Sequence, residues 1–208
     1  MNVEFDGMMV NALPIAIGVL VVVLVILWFK KHRLSYLLCA AIFGIYLLFA
    51  IAQTFFPIAV SGNYVDSMRQ IPFTSFINLN PFYFGGFGAT FQDSSFTFFL
   101  NILLTVPFGF GINFLVGIRP KNILWLAIGV GLATELTQLV ISLLLRYPYR
   151  FIDINDVIMN ALGILIGYSI FRILAWLYVW VINHIQIRLR GLPAYIYEIA
   201  SRESAMER

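Results

Sequence analysis

Apolar runs of membrane-spanning length constrain this chain more than any other feature. They fall at residues 11–29, 34–56, 95–116, 122–145 and 157–182. Each reaches or approaches the roughly 20 residues a helix needs to cross about 30 Å of hydrocarbon. Inside such a layer every backbone amide must be satisfied within the structure, and a continuous apolar run achieves that as a helix. Composition agrees: the chain is 61% hydrophobic and only 11% charged, too little polar surface to coat a soluble domain of 208 residues. The expected fold is an all-α integral membrane protein with about five transmembrane helices.

The basic residues set the expected orientation. Lys30, Lys31 and Arg33 fill the first connection, Arg119 and Lys121 the third, and Arg188 and Arg190 follow the last run. In the second connection Arg69 is offset by Asp66 and Asp93, and in the fourth Arg146 and Arg150 face Asp153 and Asp156. Lys and Arg concentrate on the cytoplasmic side, so the first and third connections and the C-terminus are expected there. The N-terminal segment, with Glu4 and Asp6, is then outside. The first run lacks the small residues of a cleavage site and is expected to stay. This orientation accounts for the formal charge of +3 without a nucleic-acid partner.

The organisation divides into an N-terminal helix (1–33), a four-helix core (34–182) and a cytoplasmic interfacial tail (183–208). The core contains a long outer connection, 57–94, that is unusually aromatic: IPFTSFINLNPFYFGGFGATF carries Phe73, Phe76, Phe82, Tyr83, Phe84, Phe87 and Phe91. Aromatics favour the membrane–water interface. Pro72, Pro81, Gly85, Gly86 and Gly88 oppose one continuous helix. The segment reads as an interfacial plug packed on the helices, or as a lid over an outward-facing site. The tail alternates apolar with charged residues, as an interfacial helix does.

Polar residues within the runs follow helical spacing. Asn101 and Thr105 share a face of the third run, before Pro107 removes a backbone donor. Gly131, Glu135, Gln138 and Ser142 form one stripe on the fourth. Asp156, Asn160, Gly163 and Gly167 form another on the fifth, where Gly163-Ile-Leu-Ile-Gly167 also permits close helix approach. In the expected orientation these groups converge in the outer half of the membrane, beneath Arg146, Arg150 and Asp153. A bare carboxylate at Glu135 is strongly disfavoured there, so it should be protonated or paired, with Asn101, Asn160 or Arg150 in reach. Each amide alone reads as helix–helix glue; the group reads as a ligand site.

Other chemistry lacks its signature. HExxH, Walker A and GxSxG are absent, and His32 and His184 both fall on the cytoplasmic side. No cofactor and no metal site is expected. Cys39, the single cysteine, cannot form an intramolecular disulfide. Glu135 and Asp156 are the candidates for acid/base work or for oxygen ligation of a divalent ion.

The ordered set INLNPF (Ile77–Phe82), NILLTVPFG (Asn101–Gly109), ELTQ (Glu135–Gln138) and RFIDINDVIMNALGILIG (Arg150–Gly167) resembles the VanZ-like membrane family over about residues 35–175. The family's characteristic positions correspond to Asn78, Pro81, Asn101, Pro107, Gly109, Glu135, Gln138, Arg150, Asp153, Asp156, Asn160 and Gly163. One element departs: Asn80 stands where the family usually has Ile. The resemblance implies a multi-pass protein of the bacterial cytoplasmic membrane, linked to tolerance of teicoplanin, a glycopeptide with a fatty-acyl tail. It implies no particular reaction.

Four functions follow in order of support. The first is binding of a lipid or lipid-linked molecule, such as a cell-wall precursor or lipoglycopeptide, at Asn101, Glu135, Gln138, Arg150, Asp153, Asp156 and Asn160. The second is a membrane-embedded enzyme acting on a lipid-linked precursor through Glu135 and Asp156. A packing scaffold comes third. A small transporter comes last, because no inverted repeat is visible.

Overall fold

The computed structural model describes residues 8–10, 13–83 and 91–205. The helices are α1 (Leu13–Phe29), α2 (Leu34–Phe55), α3 (Asn63–Met68), α4 (Phe91–Gly111), α5 (Ile123–Leu145), α6 (Ile154–Ile185) and α7 (Leu192–Ala205). Among the described residues, four two-residue strands form two pairs: β1 (Met9–Val10) with β2 (Ile58–Ala59), and β3 (Ile77–Asn78) with β4 (Ile152–Asp153). Among the described residues, four helical stretches are long and apolar enough to cross a membrane: Leu34–Phe55, Ser95–Phe114, Pro120–Leu145 and Ile154–Ile185. The first apolar run forms a shorter helix of 17 residues.

Helix α1 runs antiparallel along α2. The 30–33 turn joins them at one end, and β1 pairs antiparallel with β2 at the other, Met9 opposite Ala59. Leu20 of α1 reaches Gly44 of α2. The remaining helices gather on α6, which packs against α4, α5 and α7. Ile123 and Ala127 of α5 meet Ala161, Ile164 and Tyr168 of α6 in one buried cluster. Further along α6, Phe171 and Ala175 meet Ile199 and Ala200 of α7 in a second. Phe171 stands edge-on to Phe110 and Phe114, at 5.9 and 5.3 Å between ring centroids.

Small residues matter here because lipid is as apolar as a leucine face, so helices associate through close packing. A Cβ added at Gly163 would fall on Thr105 Oγ1 and the Ile102 carbonyl of α4. One at Gly167 would fall on the Val106 carbonyl, and one at Gly109 on the Ile164 carbonyl. Thus α4 and α6 touch backbone to backbone. Pro107 leaves the turn before it short of a donor, and side chains serve the carbonyls nearby. Thr105 Oγ1 donates to Asn101 O at 2.8 Å, and the Tyr46 hydroxyl of α2 donates to Leu104 O at 2.7 Å.

Boundaries differ from the apolar runs for identifiable reasons. Asp153 caps α6, its side chain accepting the Asn155 N–H, so the helix starts before the apolar stretch begins. It continues through Asn183 and His184 to Gln186, which adopts a left-handed conformation at φ 56°. Helix α4 gives way at Gly111 to a 3-10 turn over Ile112–Phe114. Beyond α6 the described tail is helical again over Leu192–Ala205, and the apolar face of that helix is covered by protein: Ile199 and Ala200 are buried. The Tyr195 hydroxyl donates to Phe114 O at 2.5 Å, and Arg33 pairs with Glu198 at 2.8 Å.

Candidate functional site

The junction between α5 and α6 is built around Asp153. Its Oδ1 accepts the backbone N–H of Asn155 at 2.8 Å and the Asn78 amide at 3.0 Å. Its own backbone N–H donates to Glu135 Oε2 at 3.0 Å. One residue therefore ties three segments together: the middle of α5, the start of α6 and the aromatic connection. β3 and β4 pair in parallel, Ile77 with Ile152 and Asn78 with Asp153. Phe76, buried, packs against Phe151 at 6.2 Å between ring centroids.

The α5 stripe turns inward as a unit: Gly131, Glu135, Gln138 and Ser142 are all buried. Asp153 and Asp156 lie near Glu135, and the Asn101 side chain hydrogen-bonds Asp156. On α6, Asn160 is buried and Asp156 half-buried. Gln138 reaches across to α2, its Nε2 donating to Thr54 O at 3.2 Å. The Arg150 guanidinium donates to the Phe56 carbonyl at 3.3 Å. Expectation placed Arg150 among possible partners of Glu135; the Asp153 backbone takes that role.

Asn155 holds the aromatic connection. It is fully buried; its Oδ1 accepts the Phe82 N–H at 2.6 Å and its Nδ2 donates to Tyr83 O at 3.2 Å. Asn78 adds an acceptor for the Asn80 N–H at 3.1 Å. Phe82 sits at φ 61° in this turn, and Phe82 and Tyr83 are exposed beside Pro81. Phe84, Phe87 and the glycines at 85, 86 and 88 lie outside the described residues.

The family model described as VanZ/LLP1 matches residues 43–175. The chain belongs to the VanZ/LLP1 family. No curated protein gives a significant match, and no solved structure does. The matched stretch takes in every polar group just described and leaves α1 and α7 outside it. With its long apolar helices, this VanZ/LLP1 chain is a membrane protein of that family.

Residues that the apolar spacing did not single out also pack at this junction of the VanZ/LLP1 chain. Asn155 is one; its signal was the adjacent Asp153 cap, because a residue two positions after an N-cap lies at the first turn. The 146–150 connection supplies the others. Tyr147 is buried and its hydroxyl donates to Ala59 O at 2.5 Å. The Tyr149 hydroxyl is buried without a hydrogen-bond partner among the described residues. Burial pushes both phenols up from the ordinary tyrosine range. Together the groups present carboxylate and amide oxygens as acceptors, with a guanidinium and phenols at the margin. Several of these oxygens already accept protein N–H groups: Glu135 from Asp153, Asp153 from Asn155 and Asn78, and Asn155 from Phe82.

Proposed function

We propose that this protein binds a lipid or lipid-linked ligand at the Glu135–Asp153–Asp156 junction, on the outer side of the bacterial cytoplasmic membrane, and contributes to teicoplanin and lipoglycopeptide resistance. The observation that carries the reading is the gathering of Glu135, Asp156 and Asn101 from three different helices beneath the Asp153 cap. Ionisable groups at membrane depth are costly and mark binding or transport sites. Exposed Phe82 and Tyr83, held beside them by Asn155, give apolar surface for an acyl chain while the carboxylates face a donor-rich head group. The basic residues of the 30–33 and 116–122 turns favour placing the opposite end in the cytoplasm. Helix α1 spans as well in this reading, since the β1–β2 pairing carries it along α2.

Cells expressing Glu135→Gln or Asp156→Ala are compared with wild type for growth in teicoplanin and in a glycopeptide lacking the acyl tail. The expected result is loss of teicoplanin protection at unchanged membrane protein level. Full protection by both variants overturns the proposal. The closeness of Glu135 and Asp156 also favours a second reading, acid/base catalysis on a lipid-linked cell-wall precursor. Envelope lipid profiles that are identical for wild type and Glu135→Gln dispose of it.

A further inference from the structure

The end of the bundle opposite the Asp153 junction has its own chemistry, and the proposed ligand site does not use it. All of the chain's tryptophans collect there: Trp28 in the last turn of α1, Trp125 in the first turn of α5, and Trp176 and Trp180 near the end of α6. They are exposed at 74%, 73%, 61% and 58%. On α6, Trp176 follows Arg172 by one turn and Trp180 precedes His184, on which it stacks at 5.7 Å, while Lys31 and Lys121 lie in the turns adjoining the helix ends that carry Trp28 and Trp125.

The contacts of α7 show that these segments share one end. Arg33 pairs with Glu198, Arg202 lies against Gly117, and Tyr195 reaches Phe114. Arg33 occupies Glu198, and Arg119, Lys121, Arg188, Arg190 and Arg202 have no ion-pair partner among the described residues. Indole prefers the boundary between acyl chains and head groups. Cations just beyond that boundary meet phosphate.

We infer that this end is a binding surface for anionic phospholipid of the surrounding bilayer, with indoles at the acyl–glycerol boundary and Arg188, Arg190 and Arg202 on the head-group phosphates. A nucleic acid or acidic protein would use the same cations but would leave the exposed indoles in water.

Because every tryptophan is at this end, intrinsic fluorescence reports lipid at this surface alone. Full-length protein is reconstituted in phosphatidylcholine vesicles holding a fixed fraction of brominated phosphatidylglycerol or, for comparison, brominated phosphatidylcholine. Brominated phosphatidylglycerol, which has the phosphate of phosphatidylcholine without its compensating cation, should quench with a relative binding constant about fivefold higher, the worth of one basic residue near net-anionic lipid. High salt should abolish the excess, as should the combined R188Q, R190Q and R202Q substitutions. Equal quenching by the two lipids overturns the inference, as does an excess that survives both salt and substitution. If the triple variant fails to fold, the salt titration of the wild-type protein decides. Quenching without lipid preference, alongside tight capture of a single-stranded oligonucleotide, also overturns it.

Discussion

The backbone N–H of Asp153 donates to the Glu135 carboxylate at 3.0 Å, fastening the entrance of α6 to the middle of α5. Glu135→Gln keeps an acceptor oxygen, whereas Glu135→Leu leaves a buried donor unsatisfied at a cost of about 1–3 kcal/mol. The Leu variant should melt well below wild type in detergent or nanodiscs, and the Gln variant close to it. Equal losses would show that the negative charge, rather than the acceptor, holds the junction.

Close approach of α4 and α6 makes its glycines sensitive. Gly163→Ala or Gly167→Ala forces the helices apart and should cost about 1–3 kcal/mol by overpacking. Gly129→Ala, with nothing within 4 Å of the added carbon, should be neutral or mildly stabilising. Thermal midpoints of the three variants test the difference.

Asn155 should control the order of the 80–83 turn. Asn155→Ala removes both the acceptor for Phe82 and the donor to Tyr83. Hydrogen exchange in peptides covering Asn80–Tyr83 should accelerate clearly, and Asn155→Asp, which keeps the acceptor, should fall between. Unchanged exchange in the Ala variant would remove Asn155 from this role.

The docking of α7 should depend on alkaline pH through Tyr195. Burial pushes its phenol up to about 12, from 10.0. The docked state therefore holds the proton more tightly than the undocked state. Stability from this group is complete below about pH 10 and falls as pH rises towards 12. The gap between wild type and Tyr195→Phe midpoints should narrow over that interval; a constant gap would contradict it.

Orientation is accessible by labelling. In a Cys39→Ser background, Ser61→Cys should react with an impermeant maleimide on intact cells. Lys121→Cys should react only after permeabilisation. The reverse pattern overturns the proposed topology and with it the outer location proposed for the site.

The hydropathy of the chain made the long helices legible, and helical spacing made the inward stripe of Glu135, Gln138 and Ser142 legible too. Lipid tolerates polar groups chiefly where a neighbouring helix receives them, so periodicity carries more information here than in a soluble protein. The β3–β4 pairing was not legible, because a two-residue bridge leaves no periodic trace. Nor was the partner of Arg150, a main-chain carbonyl at Phe56, since a sequence shows side chains but not exposed backbone oxygens. The covered face of α7 was missed for a related reason: alternating apolar and charged residues suit a lipid surface and a protein groove equally well.

Helix α6 has 32 residues, about 48 Å at 1.5 Å per residue. To fit entirely within a 30 Å hydrocarbon layer it would have to lean by about 50°, outside the usual range of 0–40°. Part of it must stand beyond the acyl chains, and the Asp153 anchor at the other end decides which part. A thicker membrane would draw Trp176 and Trp180 inward, and a thinner one would lift them out. The fit of this protein to its membrane is therefore a matter of thickness as well as of charge, and bilayers of different depth should hold it unequally.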